Sequence, residues 1–452
     1  MQIDLTRGPI VKNLLRFTWP LILGNIFQQM YNVVDTWVVG KFIGFDALGA
    51  VGASYTLMIF LTSIFIGLCM GSGGVFALYK GSMDSEKLSQ SISTSFVFIG
   101  TITVIINIVV FIALDFIIDI FNVPNQLMSM TREYLGVVFC GMTGVFLYNF
   151  FANLLRSVGN SIVPLVVLGI SSVINIVLDL YFVIVLKMGV TGVAIATVIS
   201  QYFSALLIIL YIFLREPRLK ITFKGFRFNR DVFAKIRSMS LVTCIQQSVM
   251  NFGILLVQGL INSFGSIVMA AFAAAVKIDT LAYAPLQDFG NGFSTFIGQN
   301  YGANKPKRIR EGIKASFKMV ALFSVAISLI VFTFADKLMQ IFVDAKETEI
   351  IAMGVSYLRV EGIFYIGIGT LFMLYGFYRA ILMPQMSLVL TVISLGTRVI
   401  LAYGLSSIES IGVFGIWVSV PIGWALADIA GYLYYRYLVR NKNENNWSNS
   451  GS

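Results

Sequence analysis

Asp35, Asn175 and Asp179 stand in otherwise apolar runs, and their types and spacing suit chemistry better than any other set in the chain. An aspartate at the middle of a lipid-embedded helix costs roughly 2.5–3.5 kcal/mol on insertion scales, so each carboxylate is expected to face an interior or a water-filled cavity. Asn175 and Asp179 are four residues apart, which puts both on one helix face. Thr197 and Tyr134 fall at similar depth in neighbouring runs, with Asn149 deeper. Two carboxylates with amide and hydroxyl oxygens suit a small hard cation, or a proton held between them. The alternative is that these groups merely hydrogen-bond helices together.

The second half of the chain has its own charges inside apolar runs: Lys277, Asp279, Asp288, Arg359, Glu361, Arg398 and Asp428. Mutual pairing within a buried network is the plain expectation. The alternative is that Asp288 and Glu361 attract a cationic substrate, helped by the aromatic faces of Tyr283, Phe289, Tyr365 and Tyr375.

The elements that must position these groups follow from composition. The 452 residues are 57% hydrophobic and 12% charged, with a mean hydropathy of +0.85, outside the balance of soluble domains. A bilayer core takes about 20 apolar residues per helix. Runs of that kind lie near 14–39, 47–78, 92–118, 133–155, 162–186 and 190–214, then near 236–262, 266–298, 315–335, 350–378, 385–407 and 412–438. The expected fold is therefore an all-α integral membrane protein of twelve transmembrane helices. Its expected parts are an N-terminal six-helix lobe (1–214), a linker (215–235), a C-terminal six-helix lobe (236–440) and a disordered tail (441–452).

Basic residues orient the spans. One cluster runs from Arg215 to Arg237 and another from Lys305 to Lys318, while only Lys41, Arg132, Lys187, Lys337 and Lys346 fall on the opposite side. The positive-inside rule then places both termini in the cytoplasm of a multi-pass plasma (inner) membrane protein. The linker, with Ile221, Phe223, Phe226, Phe228 and Phe233 among its cations, is expected either to rest on anionic headgroups or to be an ordinary solvated loop. The N-terminus has no small-residue cleavage site, so no removable signal peptide is expected.

The chain also repeats itself. A shift of 221 residues aligns Gly44 with Gly265, Ala50 with Ala271, Gly71 with Gly292, Gly81 with Gly302 and Ile120-Phe121 with Ile341-Phe342. A shift of 223 aligns Tyr134-Leu135 with Tyr357-Leu358, Arg156 with Arg379, and Gly189 with Gly412. Each half holds an even number of spans, so the halves are expected to be related by a pseudo-two-fold axis along the membrane normal. The acidic set is not repeated: Asp35 aligns with Leu256, Asn175 with Arg398 and Asp179 with Ala402.

Several function classes lose their tools. There is no histidine, which removes imidazole proton shuttles and serine triads and argues against an enzyme. Cys69, Cys140 and Cys244 share no metal-ligand or redox spacing and are expected to act as small hydrophobes. Gly71-Ser72-Gly73-Gly74 followed by Lys80 lacks the phosphate-loop pattern, so no nucleotide site and no other cofactor is expected. The net charge of +10 is spread between spans rather than along one face, which argues against a nucleic-acid partner. No obligate protein partner is inferred. Secondary active transport, driven by an ion gradient, is the remaining class.

Trp19-Pro20 followed by Asp35, the run Gly298-Gln299-Asn300-Tyr301-Gly302-Ala303, Arg156, and Asn175 with Asp179 carry a resemblance over nearly the whole chain. On these motifs the chain resembles the MATE (multidrug and toxic compound extrusion) transporters. The resemblance implies two six-helix lobes that open alternately, exporting organic, often cationic or amphipathic, drugs and toxic compounds in exchange for Na⁺ or H⁺. By that resemblance the cation or proton site carries over to Asp35, Asn175, Asp179 and Thr197, which would be metal ligands only under Na⁺ coupling. Tyr134 and Asn149 would belong to the surrounding network. The alternative on a related fold is a flippase of a lipid-linked precursor, whose basic cavity Lys277, Arg359 and Arg398 would line.

Overall fold

In lipid every backbone N–H and C=O must find its partner within the protein, so apolar runs of this length close into helices. The computed structural model describes residues 2–120, 125–222 and 228–441. The linker residues Phe223, Lys224, Phe226 and Arg227, Phe121 of the repeat, and the tail from 442 lie outside them. In chain order the helices are α1 (Ile10–Val38), α2 (Phe45–Gly81), α3 (Ser85–Ile112), α4 (Leu114–Ile120), α5 (Asn125–Cys140), α6 (Met142–Ser157), α7 (Ile162–Leu180) and α8 (Gly189–Arg215). They continue with α9 (Arg230–Asn262), α10 (Ser266–Gly302), α11 (Pro306–Met339), α12 (Thr348–Ile363), α13 (Tyr365–Ala380), α14 (Pro384–Ser406) and α15 (Val413–Asn441). Proline opens α11 and α14, where its missing N–H costs no helical bond.

Among the described residues, nine helices are long and apolar enough to cross a membrane. Two bent pairs, α5–α6 (42°) and α12–α13 (54°), add two spans. The twelfth, α1, is 29 residues long, and Arg16, Gln28, Gln29, Asn32 and Asp35 interrupt its apolar character. The protein is a multi-pass membrane protein of twelve spans, and its helices overrun the apolar runs because several ends project beyond them.

The chain divides into two compact units. The first takes the described residues up to Ile3 and Trp19–Cys244; the second takes Asp4–Thr18 and the described residues from Ile245 onward. In the first, α2 packs against α3, α5 and α6, and α8 against α5, α6 and α7. Its core is a cluster of rings, Phe76, Phe96, Phe146, Phe150 and Phe151, with centroids 5.3–6.1 Å apart. Gly67 and Gly71 let α2 lie directly on α9: a Cβ at Gly67 would sit 2.6 Å from Cys244 Cα, and one at Gly71 would collide with the Met239 carbonyl. In the second unit, α10 packs against α11, α12 and α13, and α14 against α15.

Duplication is written into the backbone itself. Left-handed residues recur at the two sequence shifts: Gly44 with Gly265 and Met83 with Asn304 are 221 apart, and Gly159 with Leu382 and Gly189 with Gly412 are 223 apart. The breaks in the bent pairs, at Gly141 and Phe364, are also 223 apart. Homologous turns thus reappear where side chains no longer match.

Candidate functional site

The first unit gathers the carboxylates. The buried positions of α7 are Pro164, Val167, Ser171, Asn175 and Asp179, spaced three and four apart, so this helix turns one stripe inward and that stripe is polar from Ser171 onward. Asp179 is fully buried, at 0% exposure. Asp35, half-buried on α1, brings its carboxyl within hydrogen-bonding reach of Asp179. Carboxylates only accept, and neither Asp179 oxygen nor Asp35 Oδ1 meets a donor among the described residues. Two such groups repel when both are ionised, and a proton or a cation between them would relieve that repulsion.

Asn175 is 2% exposed, and both its amide nitrogen and its carbonyl oxygen lack a partner among the described residues. An unsatisfied buried amide costs about 1–3 kcal/mol, so a ligand or water that completes it is strongly favoured. Tyr134 lies close enough to feel the charge of both aspartates. Thr197 donates to the Val193 carbonyl of its own helix (3.0 Å), which leaves its oxygen lone pairs. Asn149 likewise donates to Val145 (2.9 Å).

Local backbone geometry changes beside both acids. α1 ends in a π turn, Val39–Ile43, closed by Gly44 N donating to Val39 O (3.1 Å). α7 ends in another, Tyr181–Val185, closed by Leu186 N donating to Tyr181 O (3.1 Å). The two wide turns pack on one another and on α8, and such turns gather at functional sites. The matching positions of the second half carry none among its described residues.

Sequence reasoning missed Tyr31, Ser171 and Ser200. Tyr31 feels Asp35 from one turn earlier in α1, and Ser171 donates to the Ser200 carbonyl at 2.7 Å. The four-residue spacings from Asp35 back to Tyr31 and from Asn175 back to Ser171 were the available signal.

The charges of the second unit separate into two groups. Asp279 (4% exposed) and Glu361 (1%) are buried. Tyr365 donates to Asp279 Oδ1 at 2.8 Å, Tyr357 reaches Oδ2 at 3.5 Å, and the charge of Arg398 acts on both acids. Tyr365 and Tyr375 are also buried, whereas Tyr283 and Asp288 are half-exposed. Lys277 and Arg359, expected among buried charges, are instead exposed. Arg359 pairs with Asp336 at 3.3 Å and lies over the Phe332 ring. The reason is helix phase: Tyr357, Leu358 and Glu361 of α12 turn inward, which sends Arg359 outward.

A family model, MatE, matches residues 20–181 and 239–404, one stretch in each half of the repeat. The chain is 27% identical over 437 residues to the probable multidrug resistance protein YpnP of Bacillus subtilis, covering 96% of both chains. It is 22% identical over 371 residues to the multidrug export protein MepA of Staphylococcus aureus, covering 81% of both. A solved structure described as the outward-facing conformation of a multidrug resistance MATE family transporter of the MOP superfamily superposes with a TM-score of 0.92 at 24% identity, over 97% of this chain and 98% of that one.

Proposed function

Because the chain belongs to the MatE family, we propose that it is a secondary antiporter that exports organic, often cationic or amphipathic, compounds in exchange for Na⁺ or H⁺. The observation that carries this reading is the pair Asp35 and Asp179, which face each other without a donor beside an unsatisfied Asn175. The names of YpnP and MepA, a probable multidrug resistance protein and a multidrug export protein, support the cargo class.

The coupling step follows from electrostatics. A cation or proton arriving between the carboxyls cancels their repulsion, and under Na⁺ coupling Asn175 and Thr197 add neutral oxygens to the shell. Tyr134 and Asn149 form the surrounding network. Pro20 lies inside α1, where it removes one helical bond. Neutralisation at Asp35 therefore acts on a helix that bends at small cost, and the altered packing of α1 favours substrate release outside. The basic clusters support a plasma membrane orientation with both termini in the cytoplasm. Of the substrate-contact candidates, Asp288 and Tyr283 are the accessible ones; Glu361, Tyr365 and Tyr375 act from the interior.

The deciding experiment is ethidium efflux from proteoliposomes with Na⁺ and pH gradients imposed separately, and Asp35→Asn as control. Stimulation by one gradient that is lost in the variant establishes the antiporter and names its ion. No efflux under either gradient overturns the proposal and directs attention to lipid-linked cargo.

A further inference from the structure

The run Gly298–Ala303 takes no part in the acidic site, yet its asparagine is among the most buried polar groups of the second unit. Asn300 lies near the end of α10 at 0% exposure. Its amide nitrogen donates to Phe296 O (2.8 Å) and to the carbonyl of Leu5 (3.1 Å). Leu5 is itself 0% exposed.

Arg308, in the first turn of α11, completes the grip. Its Nε and Nη2 donate to Leu5 O (3.2 and 3.1 Å), Nη2 also to Arg7 O (2.9 Å), and Nη1 to Gly8 O (2.8 Å). Lys305 Nζ donates to Thr6 O at 2.8 Å. Asn13 supplies the rest, donating to Asp4 O (3.3 Å) and Arg7 O (2.6 Å). Every carbonyl from Asp4 to Gly8 is thus bonded, in a coil that Gly8 closes at φ 72°. A guanidinium spread over three carbonyls is a rigid tie.

The side chains of this grip are not repeated in the first half. At the repeat shift of 221, Asn300 corresponds to Tyr79 and Arg308 to Lys87. Lys87 instead pairs with the helix cap Asp84 at 3.3 Å, while further along the same helix Gln90 accepts from Asn229 (3.2 Å) and Ser93 donates to Thr222 O (3.2 Å). Among the described residues, this set of bonds from Asn300, Lys305 and Arg308 is found in the second half. What it holds is the root of α1: Leu14, Phe17 and Thr18 are buried at 0–1% exposure in the turns that follow, and the same helix carries Asp35 near its other end.

We infer that Asn300, Lys305 and Arg308 are positioning residues of the transport cycle: they anchor residues 4–8 so that a change at Asp35 is taken up by bending of α1 and not by slippage of its start. The inference rests on the coupling role proposed for Asp35.

The test is hydrogen exchange on the purified full-length protein, following peptides that cover 2–12 and 29–40, in wild type, Asn300→Ala, Arg308→Gln, Arg308→Lys and Lys305→Gln. Loss of the anchor is expected to speed exchange about tenfold in both peptides, with peptides of α2 and α14 unchanged. Arg308→Lys, which keeps the charge but loses the fork, should fall between wild type and Arg308→Gln. The ion concentration giving half-maximal efflux should shift at least about threefold in Arg308→Gln. Faster exchange confined to residues 2–12, or an unshifted ion midpoint, overturns the inference. Lys305→Gln removes a single bond and keeps the test open where a stronger variant fails to fold. A wild-type protein that responds to neither ion would sink the antiporter reading, while the exchange at 29–40 still decides whether the anchor governs α1.

Discussion

Asp35 and Asp179 turn their carboxyl groups toward one another from α1 and α7, and no described neighbour donates a hydrogen to either oxygen of Asp179. Two ionised carboxylates held together repel each other, which on the proposed coupling would be relieved by a proton or a cation. Replacing either residue by asparagine supplies the missing donor and removes the demand for that charge. Asp35→Asn and Asp179→Asn should insert and fold with unchanged or raised melting temperature, while gradient-driven ethidium efflux falls at least about a hundredfold, as for a group that acts as one unit with its partner. Normal efflux in both would remove the pair from the mechanism.

Asn175 makes a graded prediction. Its two polar atoms have no partner among the described residues, and on the proposed coupling it would add a neutral oxygen to the ion shell. Asn175→Ala should raise the half-saturating ion concentration about tenfold, equivalent to about 1.4 kcal/mol, and leave maximal efflux nearly intact. An unchanged ion dependence would show that water, not the coupling ion, completes this amide.

Close packing predicts stability independently of transport. Gly71→Val would drive a side chain into the Met239 carbonyl, whereas a methyl group added at Gly169 would meet nothing within 4 Å. The first substitution should cost about 1–3 kcal/mol as overpacking, read as a lower detergent melting temperature or lost yield. Gly169→Ala should behave as wild type in the same assay.

The two kinds of charge in the second unit should respond differently. Arg359→Gln breaks an exposed pair with Asp336 and should change stability by less than about 1 kcal/mol, with efflux unaffected. Tyr365→Phe leaves the buried Asp279 Oδ1 without its 2.8 Å donor and should cost about 1–3 kcal/mol. Thermal melts of both variants, measured side by side, check the contrast.

The N-terminal coil carries a pH signature. Burial works to raise the Asp4 carboxyl, but bonds from Thr6 Oγ1 (2.6 Å) and Thr6 N (2.9 Å), with the charges of Arg7 and Lys305, outweigh it and hold the group below its ordinary 3.8. A lowered folded value means the stabilisation is present above pH 3.8 and is lost as pH falls through that lower value. Docking of residues 2–12, read by exchange corrected for intrinsic rate, should be constant between about pH 5 and 8 and weaken only in strong acid. Asp4→Ala should remove the acid limb.

How much of this is legible in the sequence differs from residue to residue. Every span but α1 follows from apolar length, because a backbone in lipid has no alternative to the helix. Asn175 and Asp179 fall on one face because about four residues make a helical turn, and the same rule reaches Ser171 and Tyr31. Arg359 and Lys277 escape such a reading because a position inside an apolar run does not tell which way a side chain faces; for Arg359 the neighbouring Tyr357, Leu358 and Glu361 set the phase.

Repeat spacing is readable from glycines, since left-handed turns such as Gly44 and Gly265 demand that residue or tolerate few others. The meeting of Asp35 with Asp179 is not, because residues so distant in the chain are joined only by how α1 and α7 settle in the first unit. The same holds for Arg308 and Leu5, 303 residues apart, whose bond uses a backbone carbonyl that any residue type would offer. Local spacing therefore determined which groups lie in the membrane and, for Asn175 and Asp179, that they share a helical face, whereas tertiary packing decided which of them meet, since contact across distant segments depends on three-dimensional closure that no local pattern encodes.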